Sequence, residues 1–470
     1  NIAIGNYALQ GNLLASIGNI AIGYKAMNKP TRGEYNVAIG QQAMELGTAD
    51  NNDDNVVIGY QAAKMAASGQ LLDSVMIGYQ AGLGGSGDIN YSVAIGHSAL
   101  KSTSSNDVAN TVAIGYKALT SLTTGGDNTA IGFEASELLT TGASNVSIGY
   151  QALTAADGTE SENVAIGKLS MGSVNHDGAD SNTAVGFNSL RGGTGELDLC
   201  VAIGAYSLDS TGSNDHTGST AVGGYALAAL TSGTTNTAIG YKAMTSKTTG
   251  TQSVAVGYEA EFFNETNGKN VFVGYQAGRG AYGNTHYDNT GVGNQALYAI
   301  TTGGYNTALG SEAGKSITSS TDNVFLGRQA GKEHETGNSN VVIGSGAMSD
   351  SNGMAHYSNV IIGTSAWGGA HATAASHSNV AIGQDSMDGA LNGATYNVAI
   401  GRSSLAGLTE GDNNIAIGYQ AGNAITTADD CTIIGHQAGS AAGSRSTLIG
   451  KNAGGSINSG GVNNVCVGKD

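Results

Sequence analysis

Proline is nearly missing from this chain: one residue, Pro30, in 470. Backbone ladders can therefore run without the donor-less breaks that proline imposes. Three cysteines, Cys200, Cys431 and Cys466, are too few and too far apart for a disulfide framework. Aromatics make up 6% and charged residues 12%, so any core is built from small side chains, and no apolar run reaches the length of a membrane span. Lysine and arginine total 19 against 36 acidic residues, a formal charge of −17, which makes nucleic acid and anionic membrane poor partners. No initiator methionine or signal segment is present, and the expectation is a segment of a longer fibre. Glycine is abundant at 75 residues but has no three-residue period, which excludes collagen.

What the chain does contain is one nine-residue pattern, repeated 27 times at a mean spacing of 17.8 residues. Representative copies are Asn36-Val37-Ala38-Ile39-Gly40 with Ala43, Asn145-Val146-Ser147-Ile148-Gly149 with Ala152, and Asn414-Ile415-Ala416-Ile417-Gly418 with Ala421. A period held from end to end predicts a solenoid, one coil per repeat. No composition shift interrupts it, so residues 1–470 read as a single continuous array.

The residue before the glycine is Ile, Val or Leu in every copy, and the one two places earlier is Val, Ile or Thr. That spacing puts both on one face of a strand. The residue between them is apolar in 25 of 27 copies and Ala in sixteen, with Ser147 and Gly291 the exceptions. A strand apolar on both faces is covered on both faces. The expectation is that the branched pair turns inward. The small row (Ala38, Ala113, Ala165, Ala238, Ala381, Ala416) then meets another copy of the chain, with Phe272, Phe325, Met76 and Ile361 as local plugs. The leading Asn, present in nineteen copies, suits a strand entry and an amide ladder between coils. The invariant glycine implies positive φ or a close backbone approach, followed by a second short strand. Loops of six to eleven polar residues take up the variation in period.

Chemistry-bearing constellations are few. No phosphate loop is present, and the nine histidines are scattered; His371 and His377 read as solvated loop residues. The acidic turns 50–54 and 177–180 have oxygen ligands suited to Ca²⁺ but lack the spacing of known Ca²⁺ loops, and solvated turns are the simpler reading. No carboxylate pair stands out as glycosidase machinery. No catalytic, cofactor-binding or metal residue is expected. Tyr or Phe follows the repeat glycine in eleven copies, a ladder read as structural stacking more readily than as a sugar platform.

The core Asn-Val-Ala-Ile-Gly-x-x-Ala/Ser, as at Asn36 to Ala43, resembles the head repeat of trimeric autotransporter adhesins. The longer period, and Tyr-Gln-Ala or Tyr-Lys-Ala after the glycine, are similar to phage and viral tail-fibre versions. The resemblance implies a left-handed parallel β-roll, three chains side by side, and an extracellular place on a virion appendage or bacterial surface. The implied work is attachment, to an unknown receptor or surface glycan. A polysaccharide-degrading tailspike and an ice- or mineral-binding solenoid are the competing classes.

Overall fold

Each copy of the repeat forms one three-residue strand, such as Val146–Ile148, and within each compact unit neighbouring strands pair in parallel. The computed structural model describes residues 1–469 except 12–15, 29–32, 47–51, 66–68, 86, 102–106, 213–215, 352, 370–372, 456 and 458–460. Among the described residues there is no helix, and the architecture is an all-β parallel solenoid of coils about 18 residues long. Two compact units divide it, Asn1–Asn236 and Thr237–Asp470, and both repeat the same coil.

Register is strict in each unit. In the first, Val146 pairs with Val164, Ser147 with Ala165 and Ile148 with Ile166. In the second, Val380, Ala381 and Ile382 pair with Val398, Ala399 and Ile400. Like therefore stacks on like, and each sequence column becomes a row running along the coils.

The leading asparagines supply one such row. Asn340 donates its backbone N–H and its Nδ2 to Asn323 Oδ1, both at 3.0 Å, and Nδ2 also reaches His356 O at 2.8 Å. The predicted amide ladder is present, buried except at Asn1 and Asn464, and it ties strand entry to the loop of the next coil. Where Cys200 and Cys431 replace Asn, their N–H groups still bond the preceding amide oxygen, at 2.9 and 3.0 Å.

The glycine at the strand end is required twice over. Gly149 has φ +137°, and a Cβ there would lie 2.6 Å from Gly167 O in the next coil. No side chain fits that approach, and no L-residue prefers that dihedral.

The segment after the glycine is a turn, not the expected second strand. Gln151 and Leu153 both have φ 51°, and Ala152 N bonds back to Gly149 O at 3.4 Å, so the chain curls too tightly for a strand. The ladder between coils nevertheless continues through it, with Gln151 N bonded to Phe133 O at 2.9 Å and Leu153 N to Ser170 O at 3.0 Å. Short second strands lie instead ahead of the asparagine position in some coils, as Leu71–Leu72, Ile89–Asn90 and Val108–Ala109.

The interior is the space between the strand and this turn, and its contents overturn the predicted orientation. Ala38, Ala113, Ala165, Ala238, Ala381 and Ala416 are fully buried within one chain. Ala43, Ala152 and Ala421, and the Leu or Met that follows in most coils, as at Met44 and Leu153, are buried with them. The branched pair points outward, half-buried or exposed at Val37, Ile39, Val146, Ile148, Ile415 and Ile417. Smallness of the middle row marks the inside of the coil, not its contact with a sibling.

Large middle residues are plugs of that interior, matched by glycine across the gap. Met76 faces Gly82, where a Cβ would lie 2.5 Å from its Sδ, and Phe272 and Phe325 fill the room left at Gly278 and Gly331. Both exceptions in the middle row follow from the same packing. Gly291 lies beside the Phe272 ring, which a Cβ would approach to 2.7 Å. Ser147 accepts a hydrogen bond at 2.8 Å from Ser136, which stands where other coils have Leu or Met. Ile361 and Trp367 occupy one coil together, and this size rule does not account for them.

Candidate interaction surface

With the Ala row inside, each coil presents three things outward: the branched pair, the residues just past the corner glycine, and the loop. The branched pairs form two adjacent apolar rows. Exposure reaches 38% at Ile415 and 36% at Ile417, and Val271, Ile239 and Leu309 are similarly open. Thr interrupts the first row, as at Thr183 and Thr307, while the second is Ile, Val or Leu throughout; apolar exposure repeated in this way is unusual on a free monomer.

Beside it runs the aromatic row. Tyr60 and Tyr79 stack at 5.2 Å, Tyr79 and His97 at 4.7 Å, Tyr116 and Phe133 at 5.0 Å, and Phe133 and Tyr150 at 5.2 Å. Tyr241, Tyr258 and Tyr275 continue the pattern in the second unit at 5.8 and 5.3 Å. Because the rings lie face to face, they cover one another's faces and leave edges to solvent. A sugar ring stacks on an open face, so this geometry favours the structural reading of the ladder.

The next residue out makes a second polar row, which the sequence reading passed over. Gln61 donates to Gln42 and Gln80 to Gln61, both at 2.9 Å, and Gln276 donates to Glu259 at 3.0 Å. Arg279 also bonds Glu259 at 2.9 Å, and these donors hold its carboxyl below the usual range against the opposing pull of burial.

The acidic turns are engaged by backbone. Asp53 Oδ1 accepts from Glu34 N at 2.8 Å and Asp180 Oδ1 from Ser161 N at 2.7 Å, each one coil away. Asp412 and Asp429 accept in the same way from Thr395 and Asp412. Among the described residues no three His, Cys, Asp or Glu side chains converge as a metal site. Asp50, Asn51, Pro30 and His371 lie outside the described residues, while His377 stacks on Tyr357 and meets Tyr396 edge to face.

Burial pushes the Cys200 thiol up to about 11, so it stays protonated as an interior filler. Among the described residues no helix is long and apolar enough to cross a membrane.

No protein-family model matches the chain, and no curated protein matches it.

Proposed function

We propose that this chain is a structural shaft and adhesin segment, working as a homotrimer on a virion appendage or bacterial surface and carrying no catalytic step. The observation behind this reading is the outward branched pair, whose Ile, Val or Leu member recurs in each copy of the repeat and stays half-buried or exposed in a single chain. Copies of the same chain are its natural cover, since a strictly periodic surface is met best by another surface of the same period. The trimeric count and the extracellular setting rest on the resemblance of the repeat. Attachment then belongs to the loops, whose varied polar sequences are displayed once per coil and three times per assembly, so that weak contacts add up.

The test is native mass together with binding. Wild-type chain is expected at three times its sequence mass. Ile148→Lys with Ile166→Lys, on one outward row, should lower that mass while each coil stays intact. Labelled trimer should bind host cells or isolated surface glycans without releasing oligosaccharide. A monomeric wild type would overturn the assembly, and steady oligosaccharide release would favour a tailspike.

A further inference from the structure

One cluster in the second unit serves neither the shaft nor the loops. Seven residues after the corner glycine the interior usually receives an aliphatic side chain, as at Leu230, Ile300, Ile317 and Leu408. Two successive coils place Lys247 and Asn264 there instead. Glu261 takes an interior position that is usually Leu or Met. All three are fully buried.

These three side chains converge. Glu261 Oε1 accepts from Lys247 Nζ at 3.2 Å and from Asn264 Nδ2 at 2.7 Å. The backbone oxygen of Asn267 accepts from the same two nitrogens, at 2.8 and 3.1 Å. Two nitrogens that share two acceptors lie side by side. Room for the lysine comes from Gly250, where a Cβ would stand 2.6 Å from Lys247 Cε. Glu261 Oε2 and Asn264 Oδ1 are buried without partners. Asn270 Nδ2 also meets Glu261 Oε1, at 2.8 Å, but its Oδ1 is taken by Asn289 in the amide ladder. Nearby His286 is kept neutral by burial, its pKa lowered to about 4.

A lysine and a carboxamide held together in a fully buried interior, with a carboxylate bridging them, have a reaction open to them. We propose that Lys247 and Asn264 become joined by an intramolecular amide bond, with Glu261 as the catalytic proton carrier. The Lys247 ammonium gives a proton to Glu261, and the freed Nζ attacks Asn264 Cγ. As the carbonyl becomes tetrahedral, Glu261 passes that proton to Asn264 Nδ2, which lies 2.7 Å away. The Nζ–Cγ bond forms, the Cγ–Nδ2 bond breaks, and Nδ2 leaves as ammonium with the protons shed by Nζ. Glu261 ends as it began, a carboxylate. An ammonium and a carboxamide thus become a secondary amide and ammonium, with no oxidant or cofactor. Proximity and the low dielectric supply the acceleration. The product ties one coil covalently to the next.

Intact mass of the purified full chain, with fragmentation of its peptides, decides the matter. The expected chain is lighter than its sequence by one ammonia, resists cleavage after Lys247, and yields a branched Lys247–Asn264 peptide. Glu261→Gln, which keeps volume and hydrogen bonding but carries no proton, should retain full mass. If that variant fails to fold, Lys247→Leu with Glu261→Leu and Asn264→Leu restores the apolar columns and should also give full mass. A wild type of unaltered mass overturns the proposal. So does a link to Asn270, a link to Glu261 with loss of water, or loss of ammonia as a cyclic imide at Asn267.

Discussion

At the scale of single residues, the coil tolerates very different things at glycines that look alike in sequence. Gly149 combines φ +137° with a Cβ position 2.6 Å from a carbonyl oxygen, whereas Gly212 has nothing within 4 Å. Gly149→Ala should therefore cost about 3 kcal/mol, from dihedral strain plus displacement of the next coil. Gly212→Ala should stay within roughly 0.5 kcal/mol. Urea midpoints of the two variants, at equal chain concentration, would separate these effects. Histidine gives a second residue-scale prediction. Burial lowers His334 to about 4, so the folded chain keeps it neutral while the unfolded chain protonates near the ordinary 6.5. Between those values the unfolded state binds the extra proton. Stability is therefore complete above about pH 6.5 and falls as pH drops toward 4, by roughly 3 kcal/mol for this one group. His334→Leu, which puts an aliphatic residue where Ile317 and Leu408 stand in other coils, should flatten that part of the acid profile. An unchanged profile would show that His334 is not what titrates.

At the scale of the coil, packing couples columns that the primary structure separates. Phe272 occupies space that would otherwise belong to a side chain at Gly278. Phe272→Ala alone should cost about 3–5 kcal/mol through the cavity it leaves. Adding Gly278→Leu recreates the Ala and Leu combination of the coil with Ala113 and Leu119, both fully buried, and should recover a substantial part of that loss. The φ of 59° at Gly278 is no obstacle, because Leu297 sits at 51° in the same role. A double-mutant cycle with no coupling would contradict this account. The amide ladder gives a parallel case. Asn306 bonds Asn289 above and Asn323 below, and Ser320 O across the coil. Asn306→Ala should cost about 3–5 kcal/mol, since several buried groups lose partners at once. Much of the coil was readable beforehand: the strand, the amide row and the obligatory glycine each show as a near-constant column. Which side of the strand faced inward was not, because both faces are apolar and period alone cannot rank them. The deciding clue was volume, visible in the pairing of Phe272 with Gly278 and Gly291. Lys247, Glu261 and Asn264 were missed for a related reason: in linear order they are ordinary polar residues, and only alignment by column shows them inside.

At the scale of the whole molecule, each coil touches mainly its neighbours, so stability is close to a sum of coil and interface terms. The thin interior makes each term small, and the outward pair is left out of the sum in an isolated chain. If sibling chains cover those rows, burial of each Ile should add about 1.5–3 kcal/mol to the assembly and nothing to a lone chain. Folding and association then become linked, and the unfolding midpoint must rise with chain concentration. Ile148→Lys with Ile166→Lys should weaken that dependence. Ala165→Leu, aimed at the interior, should lower the midpoint at every concentration alike. Had the Ala row been the contact surface, the two variants would exchange behaviours. Unfolding curves over a hundredfold range of concentration therefore test the orientation of the strand and the assembly in one experiment. A midpoint independent of concentration in all three chains would leave the outward rows bare and remove the physical basis of the shaft.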